Sequence, residues 1–252
     1  MPEARCPTGI PGLDALLDGG LPKNRSILLS GTCGTGKTIF GTQFLVGGII
    51  QYDEPGVFLT LEQSAEELRK DMLGFGMDLK KHEDQGKLVI IDTSLSRIGL
   101  KNYISSVPNI PQGSFSLLPD EFDMNKVIDL TVQATAQLQA KRLVIDSLPA
   151  LDYLIKDTHD VRRILINMNY ALKKANLTSL IITESLEEDG ISRHHVEEYI
   201  SDGVIILRTN EALDTRTIKI RKMRLTKHSL KPLTFDLTDT GILVKEQRKG
   251  IM

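Results

Sequence analysis

Apolar residues along this chain fall into two alternating patterns. Short continuous runs at 26–30, 57–61, 88–92, 143–146 and 179–183 read as buried strands. Between them the spacing changes to that of helices. Residues 39–45 continue as a helix after the first strand. Ser64-Ala65-Glu66-Glu67 has the form of a capping box, opening a helix with Leu68, Met72 and Phe75 on one face and Gly74 and Gly76 at its end. Val127, Leu130, Ala134 and Leu138 form an apolar stripe over 125–139, and Val161, Ile164, Leu165, Met168, Leu172 and Ala175 form another.

After 203 the alternation stops. The runs 204–207, 217–224, 233–237 and 242–244 read as consecutive strands joined by turns. The expected fold is therefore α/β, a mainly parallel twisted sheet with helices on both faces and a β-rich C-terminal extension that adds antiparallel strands. One domain over 1–252 is expected, since a chain of 252 residues can bury a full core. From about 93 to 124 the pattern is irregular, broken by Pro108, Pro111, Gly113 and Pro119. A stretch this long reads as a lid, an interface or a mobile segment.

The most specific chemistry lies between the first strand and the first helix. Gly31-Thr32-Cys33-Gly34-Thr35-Gly36-Lys37-Thr38 fits G-x-x-x-x-G-K-[ST], the phosphate-binding loop, in the strand–turn–helix setting that the motif needs. Glycines let successive backbone N–H groups point inward as an anion cradle. The helix starting here, with Ile39 in its first turn, aims its positive end at the same place. Lys37 would bridge the β- and γ-phosphates of ATP, and Thr38 would place its hydroxyl on Mg²⁺. Cys33 reads as a small filler.

Such a loop requires further acids. Asp92 and Asp146 both follow apolar strand runs and could serve the metal; Asp146 is preferred because Asp92 leads straight into the irregular stretch. Glu62 follows the strand at 57–61, and ligands sit at the carboxyl ends of strands in such sheets. It is a candidate base for activating water, or a plain surface acid in a strand-to-helix turn. Glu184, Glu187, Glu188 and Asp189 read as a solvated acidic loop, and the pair His194-His195 is not expected to bind metal.

Composition narrows the setting. A net charge of −2 offers no global attraction to nucleic acid, which is not an expected partner. No apolar run is long enough for a bilayer, and no membrane partner is expected. The only cysteines are Cys6 and Cys33, so a reducing, cytoplasmic location is expected.

Several further motifs carry a resemblance. Thr8-Gly9-Ile10-Pro11-Gly12-Leu13-Asp14, Gly19-Gly20-Leu21-Pro22, Phe58-Leu59-Thr60-Leu61-Glu62, Ile145-Asp146-Ser147, Val196-Glu197-Glu198-Tyr199-Ile200-Ser201-Asp202 and Lys222-Met223-Arg224 are similar to those of the KaiC family of RecA-type ATPases, over about 6–244. The resemblance is to a single such domain, and it implies a RecA-like core. It implies that Lys37 and Thr38 bind phosphate and Mg²⁺, that Asp146 is the acid at the metal, and that Glu62 activates water. The family's second adjacent glutamate is Gln63 here. Lys222 and Arg224 match a pair that reaches the γ-phosphate of the adjoining subunit, and His228, Lys231 and Asp239 fall near positions that contact nucleotide from the neighbour. Thr32 to Ile39 would line the phosphates. The resemblance thus implies a homo-oligomer, a ring of six copies with ATP at each interface, slow hydrolysis and a downstream protein that reads the nucleotide state. Glu197 and Glu198 stand where autophosphorylating members carry Ser and Thr acceptors, so autokinase activity is not expected. A nucleotide-switched scaffold without hydrolysis is the alternative, and a recombinase or helicase a further one.

Overall fold

A computed structural model of the chain describes residues 4–93, 114–116, 124–153, 158–186 and 190–245. Strands β1 (Arg5–Cys6) and β2 (Leu21–Pro22) form a small antiparallel ribbon. The other ten form one sheet from β3 (Ser26–Gly31), β4 (Gly56–Thr60), β5 (Leu88–Asp92), β6 (Ser114–Ser116), β7 (Arg142–Asp146), β8 (Thr178–Glu184), β9 (Gly203–Asn210), β10 (Thr215–Met223), β11 (Leu233–Thr238) and β12 (Gly241–Val244). Their order across the sheet is β12-β11-β10-β9-β3-β8-β7-β4-β5-β6. Every pair from β9 to β6 is parallel, and β9 through β12 are antiparallel.

The helices are α1 (Lys37–Tyr52), α2 (Ala65–Leu73), α3 (Leu79–Asp84), α4 (Met124–Leu138), α5 (Thr158–Lys174) and the single turn α6 (Glu197–Ile200). Alternate residues of the central strands feed two cores. Ile27, Leu29, Phe58, Val144, Leu180 and Ile182 face α1, α2 and the N-terminal segment. Leu28, Val57, Leu59, Leu143, Ile145 and Ile181 face α4 and α5. This period of two explains why the strands read as unbroken apolar runs: both faces are covered. Each such side chain, fully buried, contributes about 1.5–3 kcal/mol. Among the described residues no helix is long and apolar enough to cross a membrane.

α1 is buried from Phe40 to Ile49. It contains glycines that cost helix stability but let other parts approach. The N-terminal turn, tied by Asp14 Oδ1 accepting from the Thr8 N–H (2.8 Å) and hydroxyl (2.7 Å), lies directly on it. A Cβ on Gly9 would stand 2.8 Å from Gly47 Cα. Arg142, fully buried, lies under Gly48, donates to Glu54 Oε2 (2.8 Å) and the Phe44 carbonyl (2.9 Å), and stacks on the Phe44 ring.

Two expectations need correction. The stretch read as irregular contains β6, which pairs with β5 through Ile90↔Ser114 to Asp92↔Ser116; three residues are too few to show a period. The rest of it, 94–113 and 117–123, lies outside the described residues. α3 was not expected either. Its six residues span under two turns, and it is opened by Asp78 Oδ1 accepting from the Lys81 N–H at 3.0 Å.

Candidate functional site

The carboxyl ends of β3, β4, β7 and β8 meet at one edge of the sheet, because these strands are parallel neighbours with β8 and β7 lying between β3 and β4. The glycine-rich loop leaves β3 there. Gly34 (φ 76°) and Gly36 (φ 93°) hold the left-handed backbone that lets the loop turn back on itself, and Gly36 caps α1. Thr35, fully buried, donates to the Thr32 carbonyl at 2.9 Å and braces the turn. The first turn of α1 contains no acidic residue of its own to offset the positive end of the helix.

A cavity of about 560 Å³ opens beside the loop. Cys33, Gly34, Gly36, Lys37, Thr38 and Ile39 line it from one side, and Glu62, Asp146 and Glu184 from the strand ends. Lys37 Nζ donates to the carbonyls of Gly31 (2.9 Å) and Thr32 (2.7 Å), lying back along its own loop. Burial lowers its pKa, opposed by Glu184, Asp146 and Glu62. Thr38 Oγ1 donates to Asp146 Oδ2 at 2.7 Å. Burial pushes the Asp146 carboxyl up to about 6; the Thr38 hydrogen bond opposes this and the Glu62 charge adds to it. The peptide from Asp146 to Ser147 is cis.

Asp92, the other acid considered for the metal, lies elsewhere. Its Oδ2 accepts from the Ala65 N–H at 2.8 Å, at the start of α2. The capping box is present, with Ser64 Oγ accepting from the Glu67 N–H at 3.2 Å. Glu62 is exposed, two residues beyond the end of β4, and faces the cavity. Gln63 donates to Asp71 Oδ2 (2.5 Å), and its carbonyl accepts from Thr60 Oγ1 (2.5 Å).

Glu184 corrects an expectation. It is not part of a solvated loop: it ends β8, opposite Gly31, with its side chain in the cavity and 3.7 Å from Arg193. The sequence signal was its place after an apolar strand, the same signal that marks Asp146. Glu187 to Asp189 lie outside the described residues.

The remaining expected residues are elsewhere. Lys222 pairs with Val204, and Val204 with Leu28, three residues before Gly31 and so about 10 Å down the strand. Lys222 and Arg224 thus lie toward the opposite end of the sheet from this chain's own phosphate loop. His228 and Lys231 line a separate cavity of about 630 Å³ between β10 and the N-terminal turn with Ala15, Leu16 and Asp18. Asp239 is exposed in the β11–β12 turn, on the side of this chain's own loop, since Leu237 two residues earlier lines the 560 Å³ cavity.

The lining suits a nucleotide with a hard divalent cation: a glycine-rich loop at a helix start, the Lys37 ammonium, the Thr38 hydroxyl hydrogen-bonded to the Asp146 carboxylate, and the carboxylates of Glu62 and Glu184. Among the described residues no group of three or more His, Cys, Asp or Glu could hold a metal by itself.

Fold and loop together define a P-loop nucleotide-binding protein with a RecA-like core. A family model described as "ATPase: KaiC" matches residues 6–249, and the chain belongs to that family. It is 38% identical over 242 residues to the circadian clock oscillator protein KaiC of Synechococcus elongatus, covering 95% of this chain and 44% of that protein. It is 39% identical over 242 residues to the circadian clock protein KaiC3 of Synechocystis sp., covering 94% and 45%. The chain therefore spans just under half the length of these relatives. A solved KaiC-like protein from the hyperthermophilic archaeon Pyrococcus horikoshii OT3 superposes with a TM-score of 0.81 at 34% identity, covering 97% of this chain and all of that one.

Proposed function

We propose that the chain, as one domain, is a slow Mg²⁺-dependent ATPase that works as a closed ring, of six copies, with each pocket completed by the adjoining copy. One observation carries this reading. The residues that bind phosphate and the residues matching the trans-acting pair, Lys222 and Arg224, occupy opposite ends of the same sheet. A head-to-tail interface between identical copies would bring one end against the other, and such interfaces form a ring when the rotation between copies closes.

The loop amides bind the phosphates, and Lys37 exchanges its two loop carbonyls for phosphate oxygens. Thr38 and Asp146 would hold Mg²⁺, which when bound neutralises charge on the β- and γ-phosphates. Glu62 accepts a proton from the attacking water. Arg224 and Lys222 of the adjoining copy stabilise negative charge on the transferred phosphoryl group. His228, Lys231 and Asp239 add contacts around the nucleotide. Hydrolysis is slow because Glu62 is exposed to water and Gln63 supplies no second carboxylate. The product is a conformational signal read by a protein partner. The free cysteines, Cys6 buried and Cys33 exposed, fit a reducing cytoplasm.

The test is phosphate release and solution mass, each with and without ATP and Mg²⁺. A nucleotide-dependent ring is expected. Arg224→Ala should lower turnover on the order of a thousandfold or more. An equal mixture with Lys37→Ala copies should recover about a quarter of full activity, because a quarter of the interfaces then pair an intact loop with an intact arginine. A persistent monomer, or no recovery at any ratio, overturns the shared site. A ring that binds ATP without releasing phosphate supports the switched scaffold instead.

A further inference from the structure

Lys222 and Arg224 are mounted. The Lys222 ammonium donates to the carbonyls of Glu198 (2.9 Å) and Ser201 (2.6 Å). Arg224 NH1 donates to Asp202 Oδ1 at 3.1 Å, and the Arg224 backbone N–H donates to the Asp202 carbonyl at 3.0 Å. All these acceptors belong to 196–202, a motif that the nucleotide chemistry leaves without a task.

Asp202 is fully enclosed, at 0% exposure, yet it is charged and central. Lys173 Nζ lies 2.7 Å from Oδ2 and Arg25 NH1 3.7 Å from Oδ1, in addition to Arg224. A buried carboxylate persists only when it is paired and hydrogen-bonded. Its backbone is tied to the first residue of β3, with the Asp202 N–H donating to the Ser26 carbonyl at 2.8 Å. The Ser26 N–H donates back to Asp202 Oδ2 at 3.4 Å.

The Arg224 side chain is 53% exposed, against 0% for its anchor. A guanidinium carries five donors, and the contact with Asp202 engages one nitrogen of the fork. The contact therefore restrains the long side chain and leaves donors directed outward for another anion. Lys173 and Arg25 also lie against the carboxylate, so Arg224 is not its only cationic partner.

We infer that Asp202 is the positioning residue for Arg224: its carboxylate, fixed to the start of β3, holds the guanidinium in the orientation from which it meets the γ-phosphate on the adjoining copy. The Glu198 and Ser201 carbonyls do the same for Lys222. This rests on the shared-site reading above. β3 then carries the phosphate loop at one end, Gly31, and the arginine's mount at the other, Ser26, so one short strand joins a subunit's own site to the site it serves next door.

Asp202→Asn in the full chain tests this, because it keeps the shape and a hydrogen-bond acceptor while removing the charge. Expected is a kcat lowered on the order of 10- to 100-fold with KM for ATP and ring mass little changed. Mixing with Lys37→Ala copies, which carry an intact Arg224 mount, should restore activity. The double variant Asp202→Asn/Arg224→Ala should be no slower than Arg224→Ala alone, since both remove the same interaction. Asp202→Glu, which retains the charge, should recover part of the loss. If Asp202→Asn does not form the ring, Asp202→Glu carries the same three readouts.

An unchanged kcat, losses that multiply in the double variant, or no rescue by mixing overturns the role of Asp202. So does a chain in which neither Asp202 variant folds, which marks the residue as structural. The two readings separate at Arg224→Ala. If that variant loses activity and is rescued by mixing while Asp202→Asn is not, only the positioning role falls. If Arg224→Ala itself is silent, both fall.

Discussion

Thr38 Oγ1 donates a hydrogen bond to Asp146 Oδ2 at 2.7 Å, joining the first turn of α1 to the end of β7 across 108 residues of sequence. These are the two groups proposed above to hold Mg²⁺. The arrangement is costly for the fold, chiefly because the carboxylate is buried, with the Glu62 charge adding to the cost. Its pKa is raised from the ordinary 3.8 to about 6, by burial first, with Glu62 adding and Thr38 and Lys37 opposing.

The sign of that shift gives a pH prediction. A folded-state pKa above the unfolded value means that the folded chain binds this proton more tightly. Stability is then lost as pH rises from about 4 to about 6 and stays lost above. Asp146→Asn should therefore stabilise the nucleotide-free protein in EDTA at pH 7.5 by about 2 kcal/mol, at 1.36 kcal/mol per unit and allowing for residual solvent. The advantage should vanish near pH 4. Thermal melts of both proteins across this range check it; equal melting temperatures at pH 7.5 would refute the assignment. The same variant should bind Mg²⁺-ATP more weakly than the parent.

Glu62 faces the cavity from just beyond β4 and is exposed. Replacing it with Gln keeps the size and removes the base. Nucleotide binding should survive, while phosphate release falls on the order of 10²- to 10⁴-fold. Calorimetric titration with ATP, alongside a single-turnover assay, separates the two effects. Turnover at the parent rate would discard Glu62 as the group that accepts the water proton.

Gly48→Ala probes the packing behind the loop. Alanine within a helix normally gains about 0.5–1 kcal/mol over glycine. Here the new Cβ would stand 2.3 Å from Arg142 Nε and 2.4 Å from its Cδ. Arg142 cannot swing aside without leaving Glu54 and the Phe44 carbonyl. Overpacking costs about 1–3 kcal/mol, and breaking a buried ion pair about 3–5. The loss exceeds the helix gain, so a net destabilisation of about 2 kcal/mol or more is expected in urea unfolding. A higher unfolding midpoint than the parent's would overturn this account of Arg142.

Much of the site was legible because it is contiguous. Eight successive residues, Gly31 to Thr38, carry the cradle, the ammonium and the hydroxyl, and local backbone geometry suffices to shape them. The strands from β3 to β12 were legible wherever both faces are buried, as at Leu143 to Asp146, since such a strand is apolar at every position. The elements missed, α3 and β6 together with β1, β2 and α6, are too short to show a repeating pattern.

Other features depend on which strands become neighbours. Asp92 and Asp146 end equivalent apolar runs, and only the irregular stretch that follows Asp92 ranked Asp146 above it. The sheet order puts β7 and β8 between β3 and β4, so Asp146 reaches Thr38 while Asp92 caps α2. The same order brings Glu184 opposite Gly31, where the sequence suggested a solvated loop. The direction of β10, opposed to β9, carries Lys222 and Arg224 away from the loop of their own chain and onto Asp202. By itself the sequence determined the elements and the phosphate loop, because periodicity and turn chemistry act between residues a few positions apart. Only the tertiary structure decided which acid meets the loop and which end of the sheet holds the arginine, because strand order and direction arise from packing between segments distant along the chain.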